Sequence, residues 1–363
     1  MNLKKQVRRL LALEFVGNFK PAGAVWVLLL VGRGFSLAQV GLAEAFFHLV
    51  SFCCEVPSGM IADTLGRRRT LRASHGAFAL SAGLMMVSRD MAGVCAAMAL
   101  NAMAYNLASG TREAITYESL LQSGREAEYL HLSSRQNICW RLAGAAATLC
   151  AGGVVLLGYR KGYGLDLVLS LACVGLAGSL AEPAVTETPR GQVRPRDLSR
   201  LLGQCAGESW RFLRARPKVC LLMLFNAAVG AVATLMRFFL QDGLTQAGAS
   251  PALLGPLLLC IELGGVLGSW LAPLLGRLPY RAAGALCALG QGLALLLTAT
   301  GWLPALAAGG ILAVACDDGL QVLTDARLNA AVPSEQRATL ISVSSMCFSL
   351  VMVVLSPLAG ALI

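Results

Sequence analysis

Runs of about twenty consecutive apolar residues recur along this chain, each long enough for an α-helix to cross the hydrocarbon core of a bilayer. Eleven such runs lie near 11–31, 38–61, 72–88, 91–113, 134–157, 164–182, 219–240, 251–275, 281–300, 302–324 and 338–361. The polar remainder is small. Only 14% of the 363 residues are charged and the mean hydropathy is +0.66. A soluble domain carries about 25% charged residues, so there is too little polar surface to cover a water-soluble globule. In lipid no water satisfies an open backbone, which leaves helices or a closed barrel. The runs are rich in Leu, Ala and Gly and lack the period-2 alternation of barrel strands. The expected fold class is therefore an all-α polytopic membrane protein.

Basic residues orient the spans. The first run follows Lys4, Lys5, Arg8 and Arg9, as a signal peptide would, but Lys20 interrupts it and ten more runs follow. It reads as a span. With the N-terminus cytoplasmic, 22 of the 30 Lys and Arg fall in inside segments and only Arg33, Arg89, Arg160 and Lys161 in outside loops. That asymmetry is the positive-inside pattern. The stretch 183–218 holds eight basic residues and four prolines. Within it Leu198, Leu201, Leu202, Cys205, Phe212 and Leu213 share one helical face, which predicts an amphipathic helix at the cytoplasmic interface. This linker accounts for the net charge of +10 without nucleic acid. It separates residues 1–182, with six spans, from 219–363, with five. The twelve cysteines are scattered without metal-ligand spacing, so they read as small packing residues. No metal site or cofactor is expected.

After the second run the chain reads Gly59-Met-Ile-Ala-Asp63-Thr-Leu-Gly66-Arg67-Arg68-Arg69. This resembles the loop motif G-x-L-A-D-R-x-G-R-R of the major facilitator superfamily, and it stands on the basic side, where that family carries it. The resemblance implies two pseudo-symmetric helical bundles around a central cavity. It also implies a twelfth helix, missing from the eleven visible here, and bundles locked together on the cytoplasmic side through Asp63, Arg67 and Arg68. Gly59 and Gly66 would permit close helix approach and a tight turn. Thr64 replaces the usual basic residue. In the fourth run Asn106 stands where the family has Arg, and Arg112 is a candidate to supply that charge to Asp63. In the fifth, Gly144, Gly152 and Gly153 match an antiporter pattern, but Thr148-Leu149 occupies its Gly-Pro position. The segments around Pro57 and Gly110 are similar to a bacterial branch associated with drug efflux. A faint internal repeat pairs Leu65-Gly66-Arg67 with Leu275-Gly276-Arg277, and Glu118 and Glu126 with Asp325 and Glu335.

A charge inside a span costs about 2.5–3.5 kcal/mol on insertion scales, so each is a functional candidate. The substrate or proton candidates are Glu14, Asn18, Glu113, Arg141, Arg237, Glu262, Asp317, Asp318 and Gln321. Lys20, Glu44, His48, Glu55, Arg112 and Asn226 also fall within runs. Gln321 and Asp325 follow Asp317 at helical spacing and so share its face. The plainer reading of these charges is internal ion pairing, for example of Glu262 with Arg237 or Arg141. Likewise His48 reads as a packed, hydrogen-bonded residue. Trp26, Trp270 and Trp302 read as interface anchors.

The expectation is a monomeric secondary transporter in the plasma membrane. It would move a small organic solute by alternating access with protons as the coupling ion, and efflux of drugs or metabolites is the leading direction. Uptake of a small metabolite, or a non-transporting receptor or scaffold on the same fold, remains the alternative. No phosphate loop, metal triad or nucleophile elbow supports an enzyme.

Overall fold

A computed structural model describes residues 2–183, Gly207, Arg214, 216–331 and 337–362, with side chains omitted at Val56 and 329–341. The amphipathic stretch, most of the linker and Glu335 lie outside these residues. Among the described residues every regular element is helical. They are α1 (Leu3–Asn18), α2 (Pro21–Ala24), α3 (Trp26–Val31), α4 (Leu37–Leu65), α5 (Arg67–Val87), α6 (Met91–Leu121), α7 (Tyr129–Leu149) and α8 (Ala151–Leu157). The remainder are α9 (Tyr159–Gly178), α10 (Pro217–Gln246), α11 (Pro251–Leu275), α12 (Tyr280–Thr298), α13 (Leu303–Ala331) and α14 (Arg337–Leu362). The eleven apolar runs fall largely on helix, the first of them interrupted at Phe19–Lys20. Eight helices are long and apolar enough to cross a membrane, nine when α7 and α8, bent by 49°, count as one span.

The first run is broken into α1, α2 and α3, and the sequence explains the break. Pro21 has no N–H to continue α1, and a proline pushes the residue before it out of the helical region. Pro21 instead opens α2, where its fixed φ suits the first turn. Large apolar side chains stay exposed along the helices, among them Leu156 at 75%, Leu289 at 73% and Leu296 at 70%. Lipid tails are the solvent such surfaces require. Trp270 and Trp302 are exposed as interface anchors would be, but Trp26 is 8% exposed and packs edge-on against Phe238. Its role is packing.

Packing groups the described residues into two units. The first takes those in 2–24, 53–147 and 157–183. Its core joins α1, α5, α6 and α9 through Leu10, Leu13, Leu71, Ile115, Cys173 and Ala177. The second takes those in 25–52, 148–156 and from Gly207 onward. There α11 and α13 pack so closely that a Cβ on Gly264 or Gly268 would collide with the carbonyls of Ile311 and Ala315. This is the small-xxx-small packing of helices in lipid, where close backbone approach replaces the hydrophobic drive. In the same unit Gly41 of α4 abuts the Ser356 carbonyl of α14, Gly360 abuts Leu37, and Gly152 of α8 abuts Pro251 of α11. The sequence echo between Gly66 and Gly276 is not a structural one. Gly66 has φ +87, whereas Gly276 ends α11 in right-handed conformation.

Candidate functional site

The turn between α4 and α5 is wired into the first unit. Arg67 reaches Asp63 at 2.7 Å and Glu118 of α6 at 3.1 Å. Burial opposes the guanidinium's charge, but Glu118 and Asp63 outweigh it and hold Arg67 above its usual range. Glu118, beyond the end of the fourth apolar run, lies within α6, which runs on to Leu121. The acid that bonds backbone amides is Glu182, not Asp63. Its two oxygens accept from Arg67 N–H at 2.6 Å and Arg68 N–H at 2.8 Å, satisfying free donors at the start of α5. Gly66 makes this possible: a Cβ there would sit 2.6 Å from Glu182 Oε1. Gly59 behaves differently from expectation, for nothing lies within 4 Å of where its Cβ would be. Arg68 is half-buried, and its backbone contact is the one that fixes it.

Arg112 does not reach Asp63. It pairs with Glu14 at 2.7 Å, and Glu14 is 5% exposed. Asn18 donates to the Glu14 carboxylate at 3.0 Å and to its carbonyl at 2.7 Å. So Glu14, Asn18 and Arg112, expected separately, form one network across α1 and α6. Glu113, the next residue, is exposed and outside it. Arg141 is exposed too, with its guanidinium 5.7 Å from the Trp140 ring centre.

The second unit gathers the remaining candidates. Arg237 of α10 pairs with Glu262 of α11 at 3.2 Å, the internal pairing that the plainer reading anticipates. Asp317 of α13 is half-buried, and the charges acting on it are Arg237 and Asp318. Its Oδ1 would lie 3.1 Å from a Cβ on Gly230, so that glycine leaves room for the carboxylate on α10. Gly265 does the same for Asp318 on α11. One turn further, Asn226 donates to Gln321, and Gln321 donates to Asp325 at 2.9 Å. Of the i, i+4, i+8 row on α13, Gln321 and Asp325 are thus joined directly, and Asn226 of α10 extends the chain. His48 is packed as expected, 3.2 Å from Glu44 and 3.4 Å from Ser349, with Phe47 and Phe348 edge-on to its ring.

Several buried polar residues escape the sequence reading, Asp166 and His75 among them. Asp166 of α9 is 4% exposed and accepts from Ala22 N–H at 3.3 Å and Gly23 N–H at 3.0 Å, the amides freed where α2 begins. His75 of α5 is 6% exposed. An acid inside an apolar run is a signal, but Arg160 and Lys161 nearby disguise Asp166 as an interface residue.

Long helices with lipid-facing surfaces and charges held inside the spans define a multi-pass helical membrane protein. The sequence profile of the Major Facilitator Superfamily matches residues 12–290, and the chain belongs to that superfamily. It is similar to an uncharacterized MFS-type transporter, YxaM, of Bacillus subtilis (strain 168), with 26% identity over 246 residues. That match covers 66% of this chain and 58% of the relative's length. Among solved structures, the nucleoside transporter NupG superposes with a TM-score of 0.77 at 15% identity, covering 99% of this chain and 91% of that one. A D-xylose-proton symporter gives 0.70 at 13% identity, covering 98% and 88%. At such identities the likeness is one of fold. Family and fold agree: the chain is a member of the Major Facilitator Superfamily with that superfamily's helical architecture.

Proposed function

We propose that this transporter exports a small organic solute in exchange for protons by alternating access. In this reading residues 1–182 and 219–363 are the two rocking bundles and 183–218 the cytoplasmic linker. The protein works as a monomer in the plasma membrane, with its N-terminus in the cytoplasm. The observation that carries proton coupling is the α10–α11–α13 arrangement. Glu262 pairs with the guanidinium of Arg237, which also acts on Asp317, and Asp318 adds a further negative charge beside Asp317. Glu262 takes that charge directly, so Asp317 shares it at longer range and is the group whose protonation most cheaply relieves the imbalance. Protonating Asp317 would then shift Arg237 fully to Glu262, a local switch of the kind two-state carriers need. The Asp63–Arg67–Glu118 and Glu182 contacts fit a cytoplasmic latch that orders the α4–α5 turn. Efflux is favoured by the segments around Pro57 and Gly110. Uptake is the second reading, favoured by the fold shared with a D-xylose-proton symporter.

The test is solute flux in proteoliposomes holding the purified full chain, with imposed pH gradients of either sign. Uptake into vesicles driven by an outward-directed proton supply, abolished by a protonophore and by Asp317→Asn, is the expected result. Flux indifferent to the gradient would remove proton coupling, and no flux for any solute class would favour the receptor or scaffold reading.

A further inference from the structure

The interrupted first span carries a second cluster of polar groups that the network of Glu14 and Arg112 does not absorb. Lys20 occupies the break between α1 and α2, partly buried, its Nζ 3.1 Å from the centre of the Phe78 ring. No carboxylate lies within ion-pair distance of it among the described residues. The acid acting on it is Asp166, which spends both oxygens on the Ala22 and Gly23 amides. His75 is buried, its ring centre 6.0 Å from that of the same Phe78, with Nδ1 lacking any hydrogen-bond partner. The ring packs against Gly17, where a Cβ would come within 3.0 Å of it. The charges acting on His75 are Lys20 and Arg112, both positive. An unpaired ammonium and an unsatisfied imidazole nitrogen buried inside a span are each costly. Irregular backbone at membrane depth, as at Phe19–Lys20, is tolerated where it lines a site or is sealed by protein.

We propose that Lys20 and His75 form an anion subsite that receives a carboxylate or phosphate group of the transported solute. Lys20 supplies the charge, and the unpartnered Nδ1 of His75 supplies a hydrogen bond. Asp166 acts as a positioning residue: by capping α2 it holds the backbone that carries Lys20 in its broken course. Phe78 holds the ammonium by a cation–π contact until the anion arrives. The proposal rests on the transport reading for what the anion belongs to, but the binding itself does not require flux.

The experiment is thermal unfolding of the purified full chain at constant ionic strength, titrated with sodium benzoate, sodium acetate or inorganic phosphate against sodium chloride. Saturable stabilisation by a carboxylate identifies organic acids as the solute class, and by phosphate alone, phosphate esters. Lys20→Gln should weaken that binding at least tenfold, while Lys20→Arg stays within threefold of the parent. His75→Asn, which keeps an amide donor, should bind better than His75→Phe. Curves identical to chloride for all three salts, or wild-type affinity in Lys20→Gln, would overturn the subsite. Should Lys20→Gln fail to fold, acylation of Lys20 in the parent protein, followed by mass spectrometry, decides instead. Protection by the binding anion supports the subsite and unchanged labelling rejects it. Anion binding without proteoliposome flux would leave the subsite standing and the transport reading fallen. Flux without anion binding would do the reverse.

Discussion

Arg112 illustrates how a single side chain is decided by its neighbours. Its position nearly two turns beyond Asn106 suggests service to the loop at Asp63, yet it faces Glu14, which is 5% exposed. Removing one partner of such a pair strands the other charge, typically at about 3–5 kcal/mol. Arg112→Gln should therefore lower the unfolding temperature markedly in detergent, and adding Glu14→Gln should recover more than half the loss. Additive losses in the double variant would mean the two residues do not act as a pair. The candidate charges were legible singly, because each interrupts an apolar run; which of them meet was not, since partners such as Glu14 and Arg112 stand 98 positions apart.

At the scale of elements, the start of α5 depends on two residues that sequence proximity does not connect. Gly66 turns the chain with φ +87, and Glu182, from just beyond α9, caps the amides that the turn exposes. Gly66→Ala meets both the left-handed penalty, about 1–2 kcal/mol, and the Glu182 carboxylate. Glu182→Gln keeps the shape and removes the charge. It should speed amide exchange at Arg67 and Arg68 several-fold in hydrogen-exchange measurements, leaving the middle of α5 unchanged. Unaltered exchange would show that water caps this end as well as Glu182 does. The motif itself was readable from its Gly, Asp and Arg spacing. Glu182 was not, because capping at this distance depends on how α9 packs on α5.

For the molecule as a whole, the close approach of α4 and α14 has a functional consequence. A Cβ on Gly360 would collide with the Leu37 carbonyl and lie 3.1 Å from Ala38 Cα. In the proposed alternating-access reading, with residues 1–182 and 219–363 as the rocking bundles, this end of α4 parts from α14 during the cycle. Cysteines replacing Ala38 and Gly360, in a background without other cysteines, should cross-link on oxidation and abolish flux, with reduction restoring it. Undiminished flux through the cross-linked protein would show that the two helices stay together throughout the cycle. Bulk at the same crossing should act on stability instead. Gly41→Val forces the Ser356 backbone to move and should cost about 1–3 kcal/mol, read as a lowered unfolding temperature.

Composition and the spacing of apolar runs determined that this chain lives in lipid as helices, because backbone hydrogen bonding in hydrocarbon leaves so few choices. They also located the turn motif and marked which charges would be costly to insert. Tertiary structure alone decided that the first apolar run breaks into a Lys20-bearing turn whose following amides Asp166 caps. It alone paired Arg112 with Glu14 rather than Asp63, and assigned residues 25–52 to the packing unit of the later helices. The reason is physical. Burial in lipid is a property of each segment and adds up along the chain. Pairing, capping and close approach depend on distances between segments, which no local pattern of residues encodes.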